Sequence, residues 1–319
     1  MPLHLFAVCY RAAYKLHHRI CLRPGKPLAN ARLIVVGSFL TGGAGKTPFT
    51  AWLTQFILEN ARGTAGKDCA AEKCAMPRIA ILCHSKAEDE AEMLRQKFAG
   101  VPQVRVIATS NRYRTAHGID RDYDYIVCDD GFEDTRLVNA KVIRLDWEEP
   151  PTRIGQLVPA GKNRSLSQDH AEPALALQCG RGVAAVTARE AVQACVPADI
   201  KFSIACIRNA AGTTFDAQRY PDAIAACGIG NPERFREDLA DFGISPAGFV
   251  ARRDHDRHFE QTINMLIARK VPVIITEKDT ARLPRDLRDH PDVYTAYQQV
   301  SVSEQAAGRL RKALLINPG

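Results

Sequence analysis

Short apolar runs recur along the chain, separated by stretches of helical pattern. "ARLIVVG", "RIAILC", "VRVIAT", "YDYIVCDDG" and "KVIRLD" come first, and "AIAACGIG" and "VPVIITEKD" follow much later. They are β-rich and apolar at consecutive rather than alternate positions. A strand covered on both faces reads this way, because neither its odd nor its even side chains meet water. Helical patterns fall between them, over Thr47–Leu58, Asp89–Phe98, Pro232–Asp241 and Phe259–Arg269. This alternation predicts an α/β fold with a doubly wound, mostly parallel sheet. Between about Pro150 and Tyr220 the pattern loosens into scattered Pro, Gly, Ser and Gln. We therefore expect a larger domain over 25–205 and a smaller α/β domain over 206–319.

The N-terminus, residues 1–24, stands apart. Leu3, Phe6, Ala7, Tyr10, Ala13 and Tyr14 recur at helical spacing, while Arg11, Lys15 and His18 fall on another side. An amphipathic helix of this kind can lie in a membrane interface through residues 3–21, or it can pack on its own domain. Both readings remain open from this stretch alone. Basic residues interrupt the apolar part, which argues against a signal peptide. No run of eighteen apolar residues is present, so no ordinary membrane span is expected.

Composition changes this picture little. The 319 residues are 46% hydrophobic and 25% charged, ordinary values for a globular chain. The net charge is +7, and from Arg11 to Lys26 there are five Lys or Arg and no acid. A basic end can meet nucleic acid, an anionic membrane or an acidic substrate. No basic helix with interleaved aromatics and no nucleic-acid module is present, so no nucleic-acid partner is expected. The ten cysteines show no paired C-x-x-C spacing, and Cys83, Cys128 and Cys227 sit inside apolar runs. They read as reduced core thiols.

The chemistry begins at "SFLTGGAGKTPFTAWL", which follows the first strand. Backbone N–H groups of Gly42, Gly43, Ala44 and Gly45 can curl around a phosphate, and Lys46 can reach its outer oxygens. Thr47 can hold Mg²⁺, and Pro48 suits the first turn of the next helix. The common spacing G-x-x-x-x-G-K-[ST] would need glycine where Leu40 stands. Strand, loop and helix in this order nevertheless predict a P-loop NTPase-like nucleotide site that takes ATP with Mg²⁺. Further on, "YDYIVCDDG" ends in Asp129 and Asp130, at the strand end where open α/β sheets place ligands. Either acid could hold Mg²⁺, and the D-D-G could equally be a simple turn. "LVPAGKNRSL" groups Lys162 with Arg164, "ACGIGNPERF" opens a helix at Asn231-Pro232, and "RRDHDRHF" carries Asp254, His255 and His258.

Taken in order, "VGSFLTGGAGKTP", "DDGFEDTRL", "LVPAGKNR", "GIGNPERF", "RRDH" and "IITEKD" resemble the tetraacyldisaccharide 4′-kinase family, the lipid A 4′-kinases of Gram-negative bacteria. That family's loop reads G-N-x-T-x-G-G-T-G-K-T-P, and its early glycine corresponds to Gly37, so Leu40 is no anomaly there. The match spans roughly 31–283. The resemblance implies transfer of the ATP γ-phosphate to the 4′-hydroxyl of a lipid A disaccharide 1-phosphate precursor, at the cytoplasmic face of the bacterial inner membrane, by a peripheral enzyme with a membrane-associating N-terminal helix. It also implies that Asp89, in Glu88-Asp89-Glu90, acts with His255 as the base on the sugar hydroxyl. Glu90 joins Thr47, Asp129 and Asp130 as a Mg²⁺ candidate, and Arg164 and Asn231 become candidates for the acceptor side.

The chain also departs from the family pattern. S-R-G-Y-G is replaced by Cys83-His84-Ser85-Lys86-Ala87, and the Asn after the first Gly is Ser38. Gln and His of D-D-G-x-Q-H are Glu133 and Asp134, the Glu of P-L-R-E is Ser165, and the second His of D-H-H is Asp256. An alternative therefore stands beside the kinase: a divergent P-loop paralogue that binds ATP but phosphorylates another acceptor, or none. The residues leave oligomeric state and acyl-chain preference open.

Overall fold

The computed structural model describes residues 2–61, 76–182, 198–254, 256 and 258–314. The chain forms two compact units, 1–179 together with 303–319, and 180–302.

The first unit starts with helix α1 (Pro2–Cys21). It continues with β1 (Arg32–Gly37), α2 (Lys46–Asn60), β2 (Ile79–His84), α3 (Glu88–Lys97), β3 (Val104–Thr109), α4 (Arg112–Gly118), β4 (Tyr125–Asp129), β5 (Lys141–Asp146) and β6 (Leu175–Arg181). Its strands lie in the order β3-β2-β4-β1-β5-β6, and the pairs are parallel. The consecutive apolar positions have the expected cause. Leu33, Val35, Ala80, Leu82, Ile126 and Cys128 point to one face, beneath Ala116 of α4. Ile81 and Cys83 point to the other, beneath Ala51 of α2 and Ala91 and Leu94 of α3. Burial pushes the Cys128 thiol up to about 12, so it is a protonated core group.

The second unit contains β7 (Ile200–Asn209), β8 (Ile224–Cys227), α5 (Pro232–Asp241), β9 (Gly248–Ala251), α6 (Phe259–Ile267), β10 (Val273–Thr276), α7 (Glu277–Arg282), α8 (Arg285–Arg288) and β11 (Val293–Val302). Its strand order is β7-β11-β10-β8-β9, parallel except for β7, which runs antiparallel to β11. Phe235 and Leu239 of α5 pack on one face of this sheet, Phe259, Ile263 and Leu266 of α6 on the other. The final helix, α9 (Glu304–Leu314), belongs to the first unit, where Arg311 reaches Asn60 of α2 and lies over the Phe56 ring. The units thus divide at 179/180, whereas the sequence pattern suggested a border near 205. That position lies inside β7, which is paired with β11 from Ile200 to Asn209 and cannot be split from its sheet.

Helix α1 resolves into two faces. Ala7 is fully buried against Leu157 and Leu166, with Tyr10 beside them. Arg11 donates to Asp169 at 3.2 Å, Lys15 pairs with the same carboxylate at 3.5 Å, and Tyr14 bonds Glu133. The exposed apolar residues are others. Leu5, Phe6, Leu16 and Ile20 are 59–65% exposed, and Leu3 and Val8 also face outward. This corrects the assignment of faces made from spacing: Tyr10 and Tyr14 are docking residues, and Arg11 and Lys15 are engaged by Asp169. The wheel locates an apolar stripe but not which stripe the domain covers. Among the described residues no helix is long and apolar enough to cross a membrane.

Strand β1 ends at a glycine for a steric reason. A Cβ on Gly37 would overlap the Cβ of Phe132, in the loop after β4. Gly37→Ala should therefore push β1 and that loop apart and cost about 1–3 kcal/mol. Urea unfolding reads this as a lower midpoint, and an unchanged midpoint would contradict the contact.

Candidate active site

The phosphate-type loop runs from the end of β1 into the first turn of α2. Gly43 and Gly45 adopt φ of 67° and 73°, a region in which a side chain is strained, and Gly45 is the N-cap of α2. Four hydrogen bonds hold the loop from outside. The Ser38 hydroxyl donates to the carbonyl of Leu145 at 2.8 Å. The Trp147 indole N–H donates to the carbonyl of Ala44 at 2.9 Å. The Thr41 N–H donates to the carbonyl of Lys162 at 3.1 Å, and the Arg164 N–H to that of Phe39 at 2.8 Å.

The two acids after β4 take different environments. Asp129, 1% exposed, accepts from the Thr47 hydroxyl at 2.8 Å and from the Thr50 hydroxyl at 3.1 Å. Burial, followed by the neighbouring charge of Glu90, pushes its carboxyl well above the usual range. Asp130 sits at φ 57°, a left-handed conformation that Asp tolerates better than most residues. Both its oxygens accept from Arg164 Nη1, at 3.0 and 2.9 Å, and Lys46 Nζ lies 3.5 Å away. Burial alone would raise the Asp130 carboxyl, but these cations outweigh it and hold it low. Arg164 also donates to the carbonyl of Thr41 at 2.8 Å, so it ties the loop to the acid.

The acceptor-side candidates divide between the units. Asp89 is buried at the start of α3, where its Oδ1 accepts from the Glu90 N–H at 3.0 Å. His255 lies outside the described residues. Asn231 belongs to the second unit, and its side chain caps α5 by accepting from the Arg234 N–H at 3.2 Å. In the same unit Asp254 pairs with Lys278 at 3.2 Å, and Lys162 of the first unit pairs with Glu148.

Two residues join the site that the motifs did not reveal. Arg112, at the start of α4, donates to the carbonyl of Asp129 at 2.8 Å, and its charge helps to hold Asp130 low. The second is Trp147. Asn111 caps α4 by accepting from the Arg114 N–H, which sets Arg112 in the helix's first turn. Neither residue belongs to the motifs quoted above.

The Asp129 carboxylate with the Thr47 hydroxyl bonded to it is a donor pair of the kind Mg²⁺ takes. Among the described residues no three His, Cys, Asp or Glu side chains are grouped as a ready metal cage. Mg²⁺ does not require one, because it commonly takes one or two carboxylates and fills its octahedron with water and phosphate oxygens.

The chain resembles LpxK from Aquifex aeolicus, solved in complex with ATP, with a TM-score of 0.59 at 16% identity over 97% of both chains, which bears on the fold. It is 31% identical to the tetraacyldisaccharide 4′-kinase of Halorhodospira halophila, over 83% of this chain and 76% of that one. It is 29% identical to that of Desulfotalea psychrophila, over 85% and 83% respectively. The family model for tetraacyldisaccharide-1-P 4′-kinase matches residues 1–315. The loop, the paired acids and a match along nearly the whole chain place this protein in the tetraacyldisaccharide-1-P 4′-kinase family.

Proposed function

We propose that the protein transfers the γ-phosphate of ATP to the 4′-hydroxyl of a tetraacyldisaccharide 1-phosphate, a step of lipid A biosynthesis, at the cytoplasmic face of the inner membrane. The observation that carries this reading is the linked set Thr47–Asp129 and Lys46–Asp130–Arg164, built around a glycine loop at the strand ends. Loop N–H groups from Gly42 to Lys46 hold the β- and γ-phosphates, aided by the N-terminus of α2. Thr47, Asp129 and Glu90 are the residues that would hold Mg²⁺, with Asp130 adjacent. Bound there, it would neutralise charge on the phosphoryl group. Lys46 and Arg164, parked on Asp130, are the cations available to the γ-phosphate. In the reaction the bond from the γ-phosphorus to the β,γ-bridging oxygen breaks, the bond to O4′ forms, and the hydroxyl proton passes to the base. Asp89 and His255 are proposed for that proton, and Asn231 and Arg164 for contacts on the acceptor side. Positioning and charge stabilisation supply the rest.

The exposed stripe of α1 fits the location of such an acceptor. Leu5, Phe6, Leu16 and Ile20 would enter the interface while the opposite face stays on the domain, and Arg19, exposed at the stripe's edge, would lie near anionic headgroups. The protein then meets the sugar without extracting the lipid.

Lys46→Ala should remove a charge-assisted contact worth about 1.5–3 kcal/mol to bound nucleotide and a larger amount in the transition state. Transfer of radiolabelled phosphate to the lipid should fall by about 10² or more, and activity within twofold of the parent would refute the loop's role. Asp89→Ala should lower kcat by roughly 10²–10⁴ with little change in ATP affinity. Equal loss of ATP binding would instead assign Asp89 to the nucleotide. Leu16→Glu with Ile20→Glu should release the protein from anionic liposomes while its fold and ATP affinity persist. Undiminished co-sedimentation would remove α1 from the membrane.

A further inference from the structure

The loop that carries Asp130 and the segment that carries Arg164 meet a second time, away from the phosphate site. Ser165 Oγ donates to Glu133 Oε1 at 2.8 Å and lies 2.7 Å from His170 Nε2. The Tyr14 hydroxyl of α1 donates to Glu133 Oε2 and lies 3.3 Å from the same imidazole nitrogen. His170 stacks on Phe132 at 4.2 Å, and His18 Nε2 stands 3.9 Å from Glu133. The protons can be counted. If His170 Nε2 carries its proton, it donates to Ser165, Ser165 donates to one Glu133 oxygen and Tyr14 to the other. Each donor then has one acceptor. Ser165 is 1% exposed, so leaving it unmatched would be costly.

The position of this cluster matters more than its composition. Ser165 is one residue from Arg164, and Glu133 is three from Asp130. The Glu133–Ser165 contact closes one end of a frame whose other end is the Arg164–Asp130 ion pair, and Tyr14 locks that end from α1. Two of the departures from the family pattern also meet here. Where the pattern has Gln and Glu, this chain has Glu133 and Ser165, and the two touch.

We propose that Tyr14, Glu133 and Ser165 form a positioning unit that couples the seating of α1 to the Arg164–Asp130 arm of the phosphate site. On this account the helix that carries the exposed apolar stripe also sets the aim of a cation in the site. The inference rests on the kinase reading for its consequence in rate, but the coupling itself is a property of the fold.

The test uses the full chain with detergent-solubilised tetraacyldisaccharide 1-phosphate, so that membrane attachment plays no part. Tyr14→Phe keeps the ring and removes the donor. It should lower kcat by about tenfold, as expected when a hydrogen bond to a charged group is lost, and leave KM for ATP within about twofold. Glu133→Gln and Ser165→Glu should each lower kcat in the same way, the latter by facing two carboxylates. The double variant should return to within about threefold of the parent. A second readout does not need the acceptor. Amide hydrogen exchange at Thr41 and Arg164, whose N–H groups bond across the loop, should accelerate in Tyr14→Phe. Single variants at parental kcat, or a double variant as poor as the product of the singles, would overturn the coupling. So would unchanged exchange at Thr41 and Arg164. A parent that transfers no phosphate would overturn the kinase reading instead, and the exchange measurement would still decide the coupling.

Discussion

Two adjacent carboxylates, one buried and one half-buried, must be accommodated at the end of β4, and much of the first unit is arranged around that constraint. Unpaired, each would be expensive to bury. Asp129 is held by two hydroxyls from the first turns of α2, and its neighbour, in a left-handed backbone conformation, is covered by Arg164 and Lys46. The same contacts fix the phosphate loop, because Lys46 and Thr47 belong to it and Arg164 also binds the carbonyl of Thr41. The acids and cations thus satisfy each other at the strand end.

The sheet supplies the rigidity this requires. Buried on both faces, β1 and β4 have no solvent side along which to slide, and their registry brings Gly37 beneath Phe132. Residues that touch no phosphate therefore still govern the loop. Ser38 anchors it to the strand on one side, Trp147 to the segment beyond that strand, and Lys162 and Arg164 pair with it as a short bridge. Helix α1 adds the last layer, with one face spent on Asp169, Glu133 and Leu157 and the other left apolar and open.

The sequence carried most of this, unevenly. The strands were legible because double burial removes the polar alternation that would confuse them, and Pro232–Asp241 was legible to the residue because Asn231 and Pro232 form a start signal. The loop and the paired acids were legible because glycine, lysine and carboxylate at a strand end have few other reasons to occur together. The faces of α1 were not. Tyr10, Tyr14, Arg11 and Lys15 have the chemistry of an interfacial helix, and only the partners Asp169 and Glu133, more than a hundred residues away, show that they dock. Arg112 and Trp147 were hidden for a related reason: what they contact is a main-chain carbonyl, which leaves no mark on the sequence. The border between the units was missed because a loosened pattern marks loops, whereas β7 is assigned to its unit by pairing with a strand near the other end of the chain.

The central claim is that this chain makes a lipid phosphomonoester. The most direct measurement is ³¹P NMR of the product formed by the purified full-length protein from ATP, Mg²⁺ and tetraacyldisaccharide 1-phosphate. The account predicts a second phosphomonoester resonance, coupled to the proton on C4′, appearing as ATP is converted to ADP. ATP bound or consumed with the lipid still carrying its single phosphate would contradict it.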